Sequence, residues 1–408
     1  MKYFKLSLCV LFITILLFYS TIPSIATSEF VWSNQSASIN ETQETSADIE
    51  NNSLNLESGS AILIEQSTGQ ILYSHNIHEQ LRPASVTKVM TILLIMEAID
   101  SGKISLDDMI PCSEKAASMG GSQIWLNTTE TLSVNDMLKA ICVVSANDCC
   151  VAMAEYLEGS TESFVQKMNE KAKQLGMNDT VFKNCHGIDE DGHVSSAYDI
   201  ALMSKELLTN HPSIVNYTTI WMDSLRDGKS ELVNTNKLIR NYKGATGLKT
   251  GSTSLALYNL SASATRDGLS LIAVIMKAPS TKVRFSEAQK LLDYGFSNYS
   301  FTSLATKDEV LTQVPISKGL SSSVNAVFES DFGYLCKKGN SSEISNNINI
   351  PEGISAPVSK GEIIGNVTFY ENETLIGSVN LIADSDIEKL SFITMSHSIL
   401  QNWFNLMR

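Results

Sequence analysis

The sequence predicts an α+β fold: an antiparallel sheet covered by helices, followed by a small all-β domain and a C-terminal amphipathic helix. Three observations lead there. Residues 58–298 carry β-prone runs at both ends and helical periodicity between them, residues 301–385 hold only short β-prone runs, and the last stretch turns helical again. At 408 residues the chain has room for more than one domain, and its hydrophobic fraction of 43% fits a folded globular protein. A formal net charge of −14 argues against nucleic acid as a partner, because that needs a basic footprint.

The chain opens with Lys2 and Lys5, then an almost entirely apolar run from Leu6 to Tyr19, then Ser24-Ile25-Ala26. That order reads as a signal peptide over 1–26, since the apolar core is short for a full membrane span. Residues 27–57 are rich in Ser, Thr, Asn and Glu and predict a flexible spacer. Ala61 to Ile64 and Ile71 to Tyr73 flank Ser67-Thr68-Gly69 and read as a strand hairpin. From Ser85 to Ile99 the chain is apolar on nearly every face, which marks a buried helix. Helical periodicity returns over Val134–Val144 with Ser133 as N-cap, breaks at Ser145-Ala146-Asn147, and resumes through Leu157. Residues 161–175 and 197–209 are further helices. Leu255 to Ala264 and Leu269 to Met276 read as strands joined at Asp267-Gly268, and Phe285 to Tyr294 as a closing helix.

Beyond this domain, 58–298, comes the all-β region 299–385, and then 386–408, where Phe392, Ile393, Ile399, Leu400, Trp403, Phe404 and Met407 recur at helical spacing. Such a stripe either lies in a membrane interface or packs on the protein's own β domain; membrane association is the favoured reading, with little electrostatic help from Lys389 and Arg408. Apart from Cys9 in the leader there are Cys112, Cys142, Cys149, Cys150, Cys185 and Cys336. No Cys-x-x-Cys pair or Cys/His cluster suggests zinc, and buried free thiols are expected rather than disulfides.

The chemistry concentrates in three short motifs. Ser85 stands three residues before Lys88, a spacing found at no other serine, and on a helix the two share a face. An amine held there can take the hydroxyl proton and activate the serine as a nucleophile. Ser145-Ala146-Asn147 falls in the break between two helices, where side chains can enter a cleft. Lys249-Thr250-Gly251 precedes the long β run and is expected to begin a strand; its lysine and hydroxyl suit a carboxylate, and its glycine permits a close approach. Ser-x-Asn alone carries little weight, because several other serines, Ser38, Ser53, Ser133, Ser323, Ser345 and Ser378 among them, start such triplets; order, spacing and setting make the set specific.

With those motifs in place, residues 58–298 resemble the penicillin-binding, low-molecular-mass D-alanyl-D-alanine carboxypeptidases, a serine peptidase family. Leu81 to Thr91, Gly120-Gly121-Ser122-Gln123, Leu232 to Leu238 and Gly244 to Thr253 resemble its characteristic segments. The resemblance implies that Ser85 attacks the penultimate D-Ala carbonyl of a peptidoglycan stem peptide and that Lys88 is its general base. It further implies that Ser145 relays a proton, that Asn147 binds substrate backbone, and that Lys249 and Thr250 hold the terminal carboxylate. Backbone N–H groups of Ser85 and Ser252, beside Gly251, would form the oxyanion hole. β-Lactam antibiotics would be covalent inhibitors, no metal or other cofactor is implied, and the place of action would be the extracytoplasmic face of a bacterial cytoplasmic membrane.

An ordinary lysine, with a pKa of about 10.4, is charged at neutral pH and accepts no proton. Burial and the neighbouring Lys249 are both expected to lower that of Lys88. His186 and His193 suggest a Ser-His-Asp reading, but the family carries a similar turn here without catalytic duty. Thr246 replaces a commonly acidic residue, and Leu257 stands near a position usually Gly or Lys. Two rival functions are a class A β-lactamase, with Glu206 as the water-activating glutamate, and a non-catalytic penicillin sensor or wall-binding module.

Overall fold

A computed structural model describes residues 54–339 and 343–392. The leader, the spacer up to residue 53 and residues 393–408 of the expected terminal helix lie outside the described residues.

Five strands form the central antiparallel sheet: β1 (Ser60–Glu65), β2 (Ile71–His75), β7 (Ala245–Thr253), β8 (Leu257–Arg266) and β9 (Leu269–Ala278), in the order β2-β1-β9-β8-β7. Two short hairpins, β3 (Met109–Pro111) with β4 (Thr131–Ser133) and β5 (Met222–Leu225) with β6 (Ser230–Val233), supply the intervening numbers. The sequence thus places the first and last strands of the domain side by side, β1 on β9. Side chains alternate across the pleat. Ile62 and Ile64 of β1, with Ile272, Val274 and Met276 of β9, join the core under the helices; Ala61, Leu63, Leu271, Ala273 and Ile275 join the core on the opposite face. Burial on both faces explains why these strands read as unbroken apolar runs.

The first core is built by α1 (Lys88–Asp100), α2 (Val134–Val143), α3 (Asn147–Glu158), α4 (Thr161–Gln174) and α5 (Ala197–Asn210). Ser133, Ser160 and Ser196 cap α2, α4 and α5, each hydroxyl accepting the backbone N–H three residues on. α3 ends at Gly159 in the left-handed conformation, as a helix stop requires. The second core is closed by α6 (Thr281–Asn298), which runs a full turn past the expected Tyr294. Its buried Glu287 accepts the Ser58 N–H at 3.3 Å and the Ser58 hydroxyl, which fixes the entry to β1.

Two sequence expectations shift. Ser85 lies in a 3-10 turn, Ala84–Thr87, and the α-helix proper starts at Lys88. Lys249-Thr250-Gly251 lies in the middle of β7, which begins at Ala245, rather than at a strand start. Short runs such as Ala245-Thr246 carry no periodicity of their own, and pairing with Ala264 and Ser263 decides their state.

The all-β part is a six-stranded sheet from β11 (Val310–Ser317), β12 (Ser323–Phe328), β14 (Ile344–Asn349), β15 (Ile354–Ser355), β16 (Ile363–Glu371) and β17 (Thr374–Ala383), with β10 (Tyr299–Ala305) paired to β13 (Phe332–Lys337). It has its own core, including Val314, Val367, Phe369 and Leu381. Ile387 bridges Val358 and Lys389 bridges Gly319, so the start of the expected 386–408 helix is extended backbone that extends the β domain. No helix among the described residues is long and apolar enough to cross a membrane. All six described cysteines are free thiols, five of them buried.

Phe164 of α4 has no exposed surface and sits in the first core. Phe164→Ala is expected to cost about 3–5 kcal/mol, read as a lowered denaturation midpoint with an unchanged denaturant slope.

Candidate functional site

The site forms where the 3-10 turn carrying Ser85, the α2–α3 junction and strand β7 meet. Lys88 is fully buried, and its Nζ lies 3.0 Å from Ser85 Oγ, 2.7 Å from Asn147 Oδ1 and 2.5 Å from the His186 carbonyl. The orientation of Asn147 is settled by its other bond, in which Nδ2 donates to the Gly120 carbonyl at 2.7 Å. Two of the three partners of Lys88 can therefore only accept. A neutral amine has two N–H bonds and one lone pair. With both N–H bonds spent on Asn147 and His186, the lone pair is left to the Ser85 hydroxyl. Burial holds the Lys88 pKa below its ordinary value, against the opposing pull of Cys150, Cys185 and Asp148.

The second lysine is equally enclosed. Lys249 donates to the Thr250 carbonyl at 2.9 Å, and burial, then the Lys88 charge, pull its pKa down to about 7. Of the two causes expected for Lys88, burial acts on it, whereas the repulsion between the lysines falls on Lys249 rather than on Lys88. Beside it, the Thr250 hydroxyl is 2.7 Å from that of Thr235. Thr235 in turn donates its N–H to Val143 at the end of α2.

Ser145 has φ +66°, and its Oγ is buried with no hydrogen-bond partner. A left-handed serine with an unsatisfied hydroxyl carries a cost that the packed ends of α2 and α3 must offset. Next to it, the buried Asp148 carboxylate accepts N–H bonds from Ile124 and Leu126 at 3.1 Å and from Cys149 at 3.0 Å. Those bonds, with the Asn147 N–H on the Ser122 carbonyl at 2.7 Å, tie the loop 120–126 to the α3 N-terminus.

β7 is pressed against the nucleophile turn at Gly251. A Cβ built there would lie 2.9 Å from Pro83 O, Ser85 N and Val86 N, so only glycine lets the strand come this close. Ser252, the next residue, is exposed on β7, which among the described residues is an edge strand paired only with β8. Ala84 is held at φ +47° immediately before the serine, and Gly187 leaves room for it, since a Cβ at Gly187 would overlap the Ala84 carbonyl.

The two histidines hydrogen-bond the segments around the nucleophile turn. His186 offers its backbone carbonyl to Lys88, while its ring Nδ1 accepts from Ile188 N and burial pulls its pKa down to about 3. His193 bonds Thr87 Oγ1 at 2.8 Å and accepts the Lys183 N–H. Neither ring is bonded to Ser85. Glu206 sits on α5, bound by Lys171 at 3.0 Å and Asn210 at 2.8 Å, an ion-pair network shared with Glu97. That carboxylate is engaged away from the nucleophile, unlike the water-activating glutamate a β-lactamase reading requires. Thr246, at the position commonly acidic, bonds Ser263 instead at 2.7 Å.

The sequence reading grouped Ser85, Lys88, Ser145, Asn147, Lys249, Thr250, Gly251 and Ser252; the fold joins Ser85, Lys88 and Asn147 by hydrogen bonds and sets Gly251, flanked on β7 by Lys249, Thr250 and Ser252, against the Ser85 turn, with Ser145 at the α2–α3 junction two residues before Asn147. It gave no role to Thr235, Asp148 or the His186 carbonyl. Thr235 had a signal in the Asn234-Thr235-Asn236 stretch; a backbone carbonyl leaves none.

Comparison with known proteins identifies the family. Residues 43–280 match the D-alanyl-D-alanine carboxypeptidase peptidase family, and residues 299–389 match the C-terminal domain of penicillin-binding protein 5. The chain is 43% identical to D-alanyl-D-alanine carboxypeptidase DacF of Bacillus subtilis over 85% of this chain and 90% of that one. It resembles the crystal structure of penicillin-binding protein 5 from Haemophilus influenzae with TM-score 0.66 and 30% identity, over 82% of this chain and 98% of that one. Penicillin-binding protein D2 of Listeria monocytogenes, solved in its ampicillin-bound form, matches at TM-score 0.55 and 32% identity over 60% of this chain and 99% of that one. The chain belongs to the D-alanyl-D-alanine carboxypeptidase family of serine peptidases.

Gly251→Ala is expected to leave the fold intact but to lower acylation at Ser85 by about 100-fold or more, the effect of displacing a reacting group by an ångström. Trapping kinetics with a labelled penicillin, beside a melting curve, would check it.

Proposed function

We propose that this chain is an exported serine D-Ala-D-Ala carboxypeptidase that trims the terminal D-alanine from peptidoglycan stem pentapeptides and is acylated by β-lactams. One observation carries the reading of the site: the enclosed Lys88 amine lies 3.0 Å from Ser85 Oγ, while its other two partners, Asn147 Oδ1 and the His186 carbonyl, can only accept. Ser85 Oγ attacks the penultimate carbonyl as its proton passes to Lys88 Nζ. The Ser85 and Ser252 N–H groups stabilise the tetrahedral oxyanion. The C–N bond breaks, the leaving D-Ala amine takes a proton through Ser145, and an ester remains on Ser85. Water then hydrolyses the ester. The unpartnered Ser145 hydroxyl supports the relay, since it has no competing bond to release. Asn147 holds Lys88 in the free enzyme and binds substrate backbone beside it; Lys249, Thr250 and Thr235 receive the carboxylate. Residues 58–298 form the catalytic domain and the β domain runs from 299 through the bridged residues Ile387 and Lys389, while 1–26 direct export and the terminal residues beyond attach the protein to the membrane surface.

Release of D-Ala from a pentapeptide mimic tests the activity directly. A purified enzyme that instead turns over penicillin rapidly would favour the β-lactamase alternative, and one that acylates without releasing D-Ala would favour a sensor.

The two lysines predict a pH profile. Lys88 acts neutral, so kcat/KM rises as pH rises through its lowered pKa. Lys249 must be charged to hold a carboxylate, so activity falls as pH rises past its value of about 7. The result is a bell whose two apparent values belong to the pair. A profile flat across both limbs would contradict it.

A further inference from the structure

Arg284, on α6, is 6% exposed, yet no carboxylate pairs with it among the described residues. Its Nη1 donates to the carbonyls of Gly251 and Asn259 at 3.2 Å each, its Nε has no partner, and it stands 4.7 Å from the Phe285 ring and 5.6 Å from that of Tyr258. A buried guanidinium without a counter-charge is costly and calls for a reason.

The reason lies in the peptide unit it touches. Gly251 C=O and Ser252 N–H belong to one planar group, in which carbonyl and N–H point opposite ways. Gly251 pairs with Asn259 across β7 and β8, and a single guanidinium nitrogen reaches the carbonyls of both, so the Gly251 carbonyl points inward toward β8. Ser252 N–H therefore faces the open edge of β7, on the side of Ser85. We propose that Arg284 is a positioning residue that polarises the Gly251–Ser252 peptide from behind and strengthens the Ser252 N–H as an oxyanion donor; this rests on the oxyanion hole of the preceding subsection. Hydrogen bonds in series reinforce one another, and a cation at the carbonyl end draws electron density from the N–H at the other. Being uncompensated, the charge also stabilises the negative charge that develops in front of the strand. Asn259 completes the support: its Nδ2 donates to the Arg82 carbonyl at 2.8 Å and its Oδ1 accepts the Lys277 N–H at 2.8 Å, which docks the chain leading to Ser85 on β8.

The test compares the full chain with Arg284→Gln, which removes the charge, Arg284→Lys, which keeps it, and Tyr258→Glu, which leaves the arginine in place and sets a carboxylate beside it. Labelled penicillin gives the acylation rate and its saturation constant; difference infrared spectroscopy gives the ester carbonyl band of the acyl-enzyme, which reports hydrogen-bond strength in the oxyanion hole. R284Q and Y258E are expected to slow acylation about tenfold, a fraction of the ~10²–10³ lost with a whole donor. Their ester band moves to higher wavenumber while the saturation constant stays unchanged, and R284K recovers most of the rate and the band. Should R284Q not fold, Y258E decides alone. An unmoved band in the folded charge-removed variants, or equal loss in R284K and R284Q, would overturn the proposal. A Ser85→Ala protein that still formed the adduct would instead overturn the reading beneath it.

Discussion

The three-way hydrogen bonding of one enclosed amine organises the catalytic half of this protein. Lys88 has no exposed surface, so each N–H must find a partner inside the protein, and two of its partners can only accept. Burial shifts the balance toward the neutral amine, and the geometry sets that amine beside the Ser85 hydroxyl. It also ties together three segments distant in sequence: the Ser85 turn, the α2–α3 junction through Asn147, and the 184–188 turn through the His186 carbonyl.

Much of the surrounding structure serves to keep that arrangement in place. The sheet, buried on both faces, gives β7 a fixed edge, and Gly251 lets that edge touch the backbone of the nucleophile turn. Asp148 and Asn147 stitch the 120–126 loop to α3. Strain collects at the same place: Ala84 and Ser145 both adopt left-handed backbone without being glycine, and Ser145 leaves a hydroxyl unsatisfied. Stability is given up where chemistry is to occur.

How far the sequence revealed this depended on the length scale of each signal. Strong periodicity over ten or more residues placed α2, α4 and α5 within a residue or so, because amphipathic spacing and serine caps are local. The grouping of Ser85, Lys88, Ser145, Asn147 and Lys249 was readable from motif order. The 3-10 turn at Ser85 and the early start of β7 were not, since tertiary packing and cross-strand pairing decide them. Least legible were contacts ending on backbone: the His186 carbonyl, and the Gly251 and Asn259 carbonyls that receive Arg284. Any residue type can present a carbonyl, so composition holds no trace of such a bond.

The central claim is that Lys88 is neutral in the resting enzyme. Nitrogen-15 NMR of its Nζ, assigned with a Lys88→Arg variant and followed through a pH titration of the free protein, measures that state directly. The account predicts a neutral amine at pH 7 that protonates only on acidification, with its ordinary titration near 10.4 absent. A Lys88 that titrates near 10.4 in an enzyme still acylating at full rate would contradict it.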